Sequence, residues 1–267
     1  KNIAIFIGDT PLLFSCVLFS LKHFEKIYLM TKNKKIIKNL PKRIIKIKNL
    51  KKVNLKKVDY IFSVMNEKII TKKVLNFRNI IKINFHDGPL PKYAGLYSST
   101  WSILNNEKFH GVTWHEMSDI IDGGDIYLRK KFRIKDYDTA ESIDLKSNFF
   151  GFELFKKLLK NILRNKLSKK KQNLRLRTYY GLRHRKKIPN DGIINFKYSV
   201  NKILKISRAL KLSPNKKNKL CRLRISTSKG IIFLQELKIS KTTKYKIFAI
   251  KDLIKLSNNV VYIKKDK

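Results

Sequence analysis

The sequence predicts an α/β fold: a doubly wound, mostly parallel sheet followed by a small C-terminal β-barrel-like domain. Three observations carry this. Short apolar runs at residues 3–7, 26–30, 58–64 and 80–85 alternate with helical stretches at the spacing of βαβ units. The most turn-rich loops follow the ends of those runs, which is where such sheets place ligands. Beyond residue 190 the pattern changes to strict alternation, with Cys221, Leu223 and Ile225 interleaved with Arg222, Arg224 and Ser226.

In chain order, residues 1–7 read as a buried strand and residues 11–24 as a helix capped by Asp9 or Thr10. Strands at 26–30 and 58–64, a helical stretch at 67–77 and a strand at 80–85 complete the parallel set. Residues 84–95 then form a stiff loop that holds Pro89, Pro91, Gly88 and Gly95. A short helix is expected at 98–105, a strand at 111–117, a polar loop at 118–124 and a strand at 125–134. Asp138-Thr139-Ala140-Glu141 is a capping box, and Phe155, Leu158, Leu159 and Ile162 line one face of the long helix it starts. The expected division is a first domain over 1–165, a basic linker over 166–190 that reads as solvated, and a β-rich domain over 191–267. The last begins with a helix at 199–210 and includes a turn at Ser228-Lys229-Gly230 and strands at 246–250 and 260–263.

Composition excludes several classes. A hydrophobic fraction of 43% with 11% aromatics can bury enough surface to offset ordering entropy, so most of the length is not intrinsically disordered. No apolar run approaches the roughly 18–20 residues that cross a bilayer, and no membrane partner is expected. Cys16 and Cys221 are too few for a disulfide framework and wrongly spaced for a thiolate zinc site, which points to a reducing cytoplasm. The opening apolar stretch is broken by Gly8-Asp9-Thr10-Pro11 and reads as no targeting signal; residue 1 is Lys, as in a trimmed chain or a domain cut from a longer one. The net charge of +43 invites an acidic partner such as tRNA, an acidic carrier protein or a membrane surface. Of the 62 basic residues only 12 are Arg, the type suited to bidentate phosphate recognition, and Lys accompanies Ile, Asn and Phe everywhere. That favours compositional drift with solvated Lys faces.

The chemistry-bearing residues follow strand ends. Asn84 and His86 alternate, so both side chains point to one face of their strand while Phe85 points to the other. Asp122 sits beside the Gly123-Gly124 pair in the polar loop. An imidazole base, an amide donor for a developing oxyanion and a carboxylate that orients or charges the imidazole can serve acyl transfer to an amine without a covalent intermediate.

Three blocks, Ile83-Asn84-Phe85-His86-Asp87-Gly88-Pro89-Leu90-Pro91-Lys92-Tyr93-Ala94-Gly95, Gly111-Val112-Thr113-Trp114-His115-Glu116-Met117 and Ile121-Asp122-Gly123-Gly124-Asp125, resemble the 10-formyltetrahydrofolate-dependent formyltransferases in order, spacing and chemistry. The resemblance covers residues 1–162 and, more weakly, the tail. It implies a Rossmann-like fold and a catalytic trio of Asn84, His86 and Asp122. It also implies 10-formyltetrahydrofolate as donor cosubstrate, no metal, and a folate site between two segments: Met65, Asn66, Ile69 and Ile70 on one side, and Ile121, Gly123 and Gly124 on the other. Methionyl-tRNA enzymes of the family usually carry Ser-Leu-Leu-Pro after the His, where this chain has Asp87-Gly88-Pro89-Leu90-Pro91. That departure looks like the formylation domains of nonribosomal peptide synthetases, so the implied partner is a phosphopantetheinyl carrier protein bearing an aminoacyl group. Methionyl-tRNA and sugar-nucleotide acceptors are the alternatives, and a catalytically silent binding module of the same fold is the reading from a different class.

Other candidates weigh less. Asp87 serves equally well as a loop cap. Trp101 and Trp114 read as core or pocket wall, His115 as a packed or surface residue, and His184 as part of a solvated basic loop; His23 and His110 suggest nothing. No metal-ligand spacing exists among the histidines and cysteines.

Overall fold

A computed structural model of the chain describes residues 2–66, 69–195, 197–212, 220–227, 230–234, 236–240 and 260–264. The strands are β1 (Ile3–Ile7), β2 (Lys26–Met30), β3 (Ile44–Lys46), β4 (Tyr60–Val64), β5 (Ile81–His86), the two-residue β6 (Ala94–Gly95), β7 (Phe109–Glu116), β8 (Ile126–Arg133) and the two-residue β9 (Tyr179–Tyr180). Seven of them form one sheet in the order β3-β2-β1-β4-β5-β7-β8. The pairs from β3 through β5 are parallel, and β7 runs antiparallel to β5. This is the mostly parallel, doubly wound sheet expected from the sequence. The chain runs outward from β1 to β3, then returns to β4 on the other side of β1, so the switch point lies between β1 and β4. Gly8 makes that closeness possible: its φ is +149°, and a Cβ there would lie 2.1 Å from the Val64 carbonyl oxygen.

Two compact units divide the chain. One comprises residues 1–95, 110–132 and 146–179, the other residues 96–109, 133–145 and 180–267. The first holds the sheet. Its core is aromatic, with Phe6 stacked on Phe62 at 4.8 Å and Phe155 edge-on to Phe62 at 5.6 Å. Such rings each remove a large apolar area from water, and their edge-to-face contacts add roughly 0.5–1.5 kcal/mol per pair. Helix α1 (Pro11–Ser20) buries Leu12, Leu13, Cys16 and Val17, with Thr10 as N-cap. It ends four residues before the expected boundary because His23 and Phe24 donate back to the Ser20 carbonyl, which turns Phe24 against Phe6 and Phe62.

Between β2 and β4 the sequence reading had assigned nothing, yet α2 (Lys34–Lys38) and β3 form there around the short pairs Ile36-Ile37 and Ile44-Ile45. The helix expected at 67–77 shrinks to α3 (Lys72–Leu75), ended by Asn76; residues 67 and 68 lie outside the described residues.

In the second unit α4 (Ser98–Leu104) packs on α6 (Val200–Leu210), and the Thr100 hydroxyl donates to the Ala209 carbonyl at 2.9 Å. The long α5 (Ala140–Leu163) runs through both units. In the tail β10 (Arg224–Thr227) and β11 (Gly230–Phe233) form an antiparallel hairpin, and β12 (Glu236–Ser240) pairs in parallel with β13 (Val260–Lys264). The expected turn residues Ser228 and Lys229 and the strand at 246–250 lie outside the described residues. No helix among the described residues is long and apolar enough to cross a membrane.

Candidate active site

The site is built on the antiparallel seam of β5 and β7. In that register Asn84 faces His115, Phe85 faces Trp114 and His86 faces Thr113. The alternation therefore works as expected: Phe85 turns into the core against Trp114 at 5.1 Å, while Asn84 and His86 share the opposite face. Lys82 shares that face too, but its ammonium is spent on the Phe77 and Ile80 carbonyls, and burial lowers its pKa. It anchors the loop before β5 rather than joining the chemistry.

The chain after His86 folds back over the imidazole. Gly88 is what permits this, since a Cβ there would lie 2.6 Å from His86 Nε2. Strand β7 pins the loop: the Thr113 hydroxyl donates to the Gly88 carbonyl at 2.7 Å and accepts from Leu90 N–H at 3.2 Å, and His110 Nε2 donates to the Asp87 carbonyl at 2.8 Å. His86 Nε2 in turn lies 2.7 Å from the Tyr93 carbonyl oxygen. A carbonyl only accepts, so Nε2 carries the proton, and the basic nitrogen of the neutral ring is Nδ1.

Nδ1 faces carboxylates. Asp122 Oδ2 lies 3.6 Å from it and Asp87 Oδ1 3.9 Å. Asp122 Oδ2 also accepts from Gly95 N–H at 2.8 Å, and its Oδ1 lies 3.5 Å from His115 Nε2. Burial pushes the Asp122 carboxyl up, but His86, His115 and the Gly95 N–H outweigh this and hold it well below the usual carboxylate range. The group stays a carboxylate at any working pH.

His115, read from the sequence as a packed or surface residue, is part of the site. It is 2% exposed; its Nδ1 donates to the Glu116 carbonyl at 2.7 Å, and its Nε2 lies 3.1 Å from the Asn84 amide nitrogen and 3.5 Å from Asp122 Oδ1, so it bridges the two. The available signal was the spacing of Thr113, His115 and Asp122, with His115 two residues after Thr113 on the face of β7 opposite Trp114.

Asn84, His86 and Asp122 are thus brought together within the first unit. Of the residues expected around a folate, Met65 follows β4 with φ +50°, Ile69 is 80% exposed and Ile121 46%. Ile70 and Met117 pack against one cluster that contains Ile5, Ile7 and Ile61. Gly123 closes a turn onto the Ile120 carbonyl, and the Gly124 carbonyl accepts from Gln172. Ile120, at 49%, is exposed as well. Asn66 lines a cavity of about 220 Å³ at the switch point with Gly8, Asp9, Thr31, Lys32, Lys46 and Lys48. One oxygen of the Asp9 carboxylate accepts from the Thr31 hydroxyl and the Lys32 backbone N–H, and three lysines against this one acid leave the cavity lining net positive. Among the described residues no group of His, Cys, Asp and Glu is arranged to hold a metal ion.

Comparison with known proteins identifies the class. Residues 23–159 match the formyl transferase family model, and the chain belongs to that family. It is 32% identical over 191 residues to the bifunctional polymyxin resistance protein ArnA of Wigglesworthia glossinidia brevipalpis, covering 70% of this chain and 29% of that protein. It is 32% identical over 162 residues to the methionyl-tRNA formyltransferase of Thermodesulfovibrio yellowstonii, covering 61% of this chain and 50% of that one. The chain thus spans between about a third and a half of these relatives' length. Among solved structures, it is similar to the N-formyltransferase of Helicobacter canadensis in complex with folinic acid and dTDP-3-aminofucose. That likeness has TM-score 0.68 and 25% identity, covering 88% of this chain and 86% of that one.

Proposed function

We propose that this protein N-formylates a primary amine with 10-formyltetrahydrofolate as donor. The observation that supports this best is His86, with Nε2–H held by the Tyr93 carbonyl and Nδ1 turned to the Asp122 carboxylate. The donor supplies the formyl carbon, and the apolar surface of Ile69, Ile120 and Ile121 would hold its ring. Nδ1 of His86 takes the proton lost by the attacking amine and gives it to the tetrahydrofolate nitrogen as that nitrogen's bond to the formyl carbon breaks; in between, the imidazolium has an acceptor on each side, the Tyr93 carbonyl and Asp122. Asn84 has a second amide N–H to donate to the oxygen that gains charge during transfer. His115 keeps that amide aimed.

For the acceptor, the cavity at the switch point favours an amine that carries a phosphate group close by. Gly8 and His86 end strands two positions apart in the sheet, about 10 Å by strand spacing. A nucleotide-linked amino sugar has its diphosphate near the amine, and Lys32, Lys46 and Lys48 offer it positive charge. The likeness to the Helicobacter canadensis enzyme supports the same class. A second reading, an aminoacyl group on a phosphopantetheinyl carrier protein, is favoured by the Asp87-Gly88-Pro89-Leu90-Pro91 loop. Incubating the protein and 10-formyltetrahydrofolate with a dTDP- or UDP-amino sugar, with an aminoacyl carrier protein and with methionyl-tRNA, and weighing each product by mass spectrometry, tests the readings. A gain of one formyl group on the sugar nucleotide alone is expected; formylation of the carrier-bound group alone selects the second reading, and of methionyl-tRNA alone defeats both.

A further inference from the structure

The segment after α5 was expected to be a solvated linker, yet it lies against the site. Ile126 and Lys170 exchange backbone hydrogen bonds at 2.8 Å in both directions. The Gln172 side chain is 6% exposed and sends both N–H groups into the loop that carries Asp122, one to the Asp122 carbonyl at 3.1 Å and one to the Gly124 carbonyl. Arg177 donates to the Ile121 carbonyl at 2.8 Å. One turn further, the Thr178 hydroxyl accepts from Tyr93 N–H at 2.7 Å, and the Thr178 carbonyl accepts from Ala94 N–H at 2.9 Å.

We propose that residues 169–178 form a strap belonging to the catalytic apparatus, in which Gln172 and Thr178 are positioning residues for His86. Gln172 keeps the Asp122 carboxylate on Nδ1, and Thr178 keeps the Tyr93 carbonyl on Nε2. Both residues they hold are in the left-handed region, Asp122 at φ +54° and Tyr93 at φ +61°. That conformation is strained for a side-chain-bearing residue and persists only where neighbours over-determine it. A rotation about either backbone swings the group that faces the imidazole. The orientation of Gln172 is settled by its neighbours, since an amide oxygen turned to the two loop carbonyls would find no donor. Its own Oε1 is then buried with no hydrogen-bond partner among the described residues. Leucine would spare the fold that unsatisfied oxygen, so what the amide contributes is its pair of donors to the loop. Lys169 adds to the strap through Glu116 at 2.6 Å and Asp125 at 3.8 Å.

This inference rests on the formyl-transfer reading, so wild-type activity is the reference. Gln172→Met keeps the volume and removes both donors; Thr178→Val keeps the shape and removes the acceptor, which Thr178→Ser restores. Formyl transfer is followed with the acceptor the wild type uses, together with KM for each substrate, the melting temperature and the ¹⁵N-NMR signature of the histidine rings. Gln172→Met should lose about tenfold in kcat with each KM within twofold. Thr178→Val should lose as much and show His86 as a mixture of ring tautomers, where the wild type and Thr178→Ser show Nε2–H alone. An active wild type whose Gln172→Met and Thr178→Val variants melt earlier but keep kcat and the single tautomer overturns the strap and leaves the formyl-transfer reading standing. If Gln172→Met does not fold, the Thr178 pair decides the matter. A wild type that formylates none of the acceptors overturns both.

Discussion

Two loops meet the carboxyl ends of the sheet and are built on opposite lines. The loop after β5 is held at every turn: Asp87, Gly88, Leu90, Tyr93, Ala94 and Gly95 each exchange a hydrogen bond with β7, the Asp122 loop or the strap. The segment after β4 instead leaves Ile69 80% exposed, while its neighbour Ile70 packs on the core. Groups that move protons need fixed distances, because a displacement of about 1 Å costs on the order of a hundredfold in rate. A surface that receives a flat apolar ligand needs area rather than rigidity, and the ligand itself completes the packing.

If this contrast is right, substitutions in the first loop act on turnover and those in the second on affinity. The largest effect is expected at the seam. His86→Ala removes the base and Asn84→Ala the donor, and each should slow formation of formylated product by roughly a hundredfold or more, read by mass spectrometry. Full activity in both variants would end the assignment. Next comes Asp122→Asn, which should lower kcat more than it weakens folate binding measured by fluorescence titration; unchanged turnover with folate binding lost would move Asp122 to the folate pocket.

The same variant carries a pH dependence. A carboxyl held below its usual range stabilises the fold above that range, and the contribution is lost as pH falls through and below it. The stability gap between wild type and Asp122→Asn should therefore be widest near neutrality and narrow in acid, as followed by urea unfolding between neutral pH and pH 3.

Smaller effects belong to the exposed segment. Ile69→Ser and Ile121→Ser each remove apolar area that a folate would cover, worth up to about 1.5 kcal/mol, so KM for the donor should rise up to about tenfold at nearly constant kcat. Loss of kcat without a change in KM there would erase the distinction between the loops. Smallest is Lys46→Gln with Lys48→Gln at the switch-point cavity, expected to raise KM for a phosphate-bearing acceptor several-fold at low salt and less at high salt, where ions screen the attraction.

What could be read from the sequence follows the range of the forces involved. The parallel strands announce themselves as local apolar runs, and Asn84 and His86 share a face because strand periodicity requires it. Asp122 was found through its block of three neighbours, and only the fold brings it to His86, 36 residues away in sequence. His115 was set aside as packed or surface and Gln172 as part of a linker, because their significance lies in a cross-strand register and in a loop contact that local pattern does not encode. The stretch at 166–177 looked like a solvated linker for the same reason: its few apolar residues are not what attaches it, and hydrogen bonds to carbonyls leave no trace in composition.

The strap also bears on how this chain can be divided and recombined. A fragment ended at residue 165, just past α5, would retain Asn84, His86 and Asp122 and the whole seven-stranded sheet. It would lack Gln172, Arg177 and Thr178, and with them the donors and the acceptor that hold two left-handed residues in place. A chimera that grafts this catalytic half onto another tail therefore has its natural seam after Thr178, thirteen residues beyond the point where the long helix and the basic stretch suggest a cut.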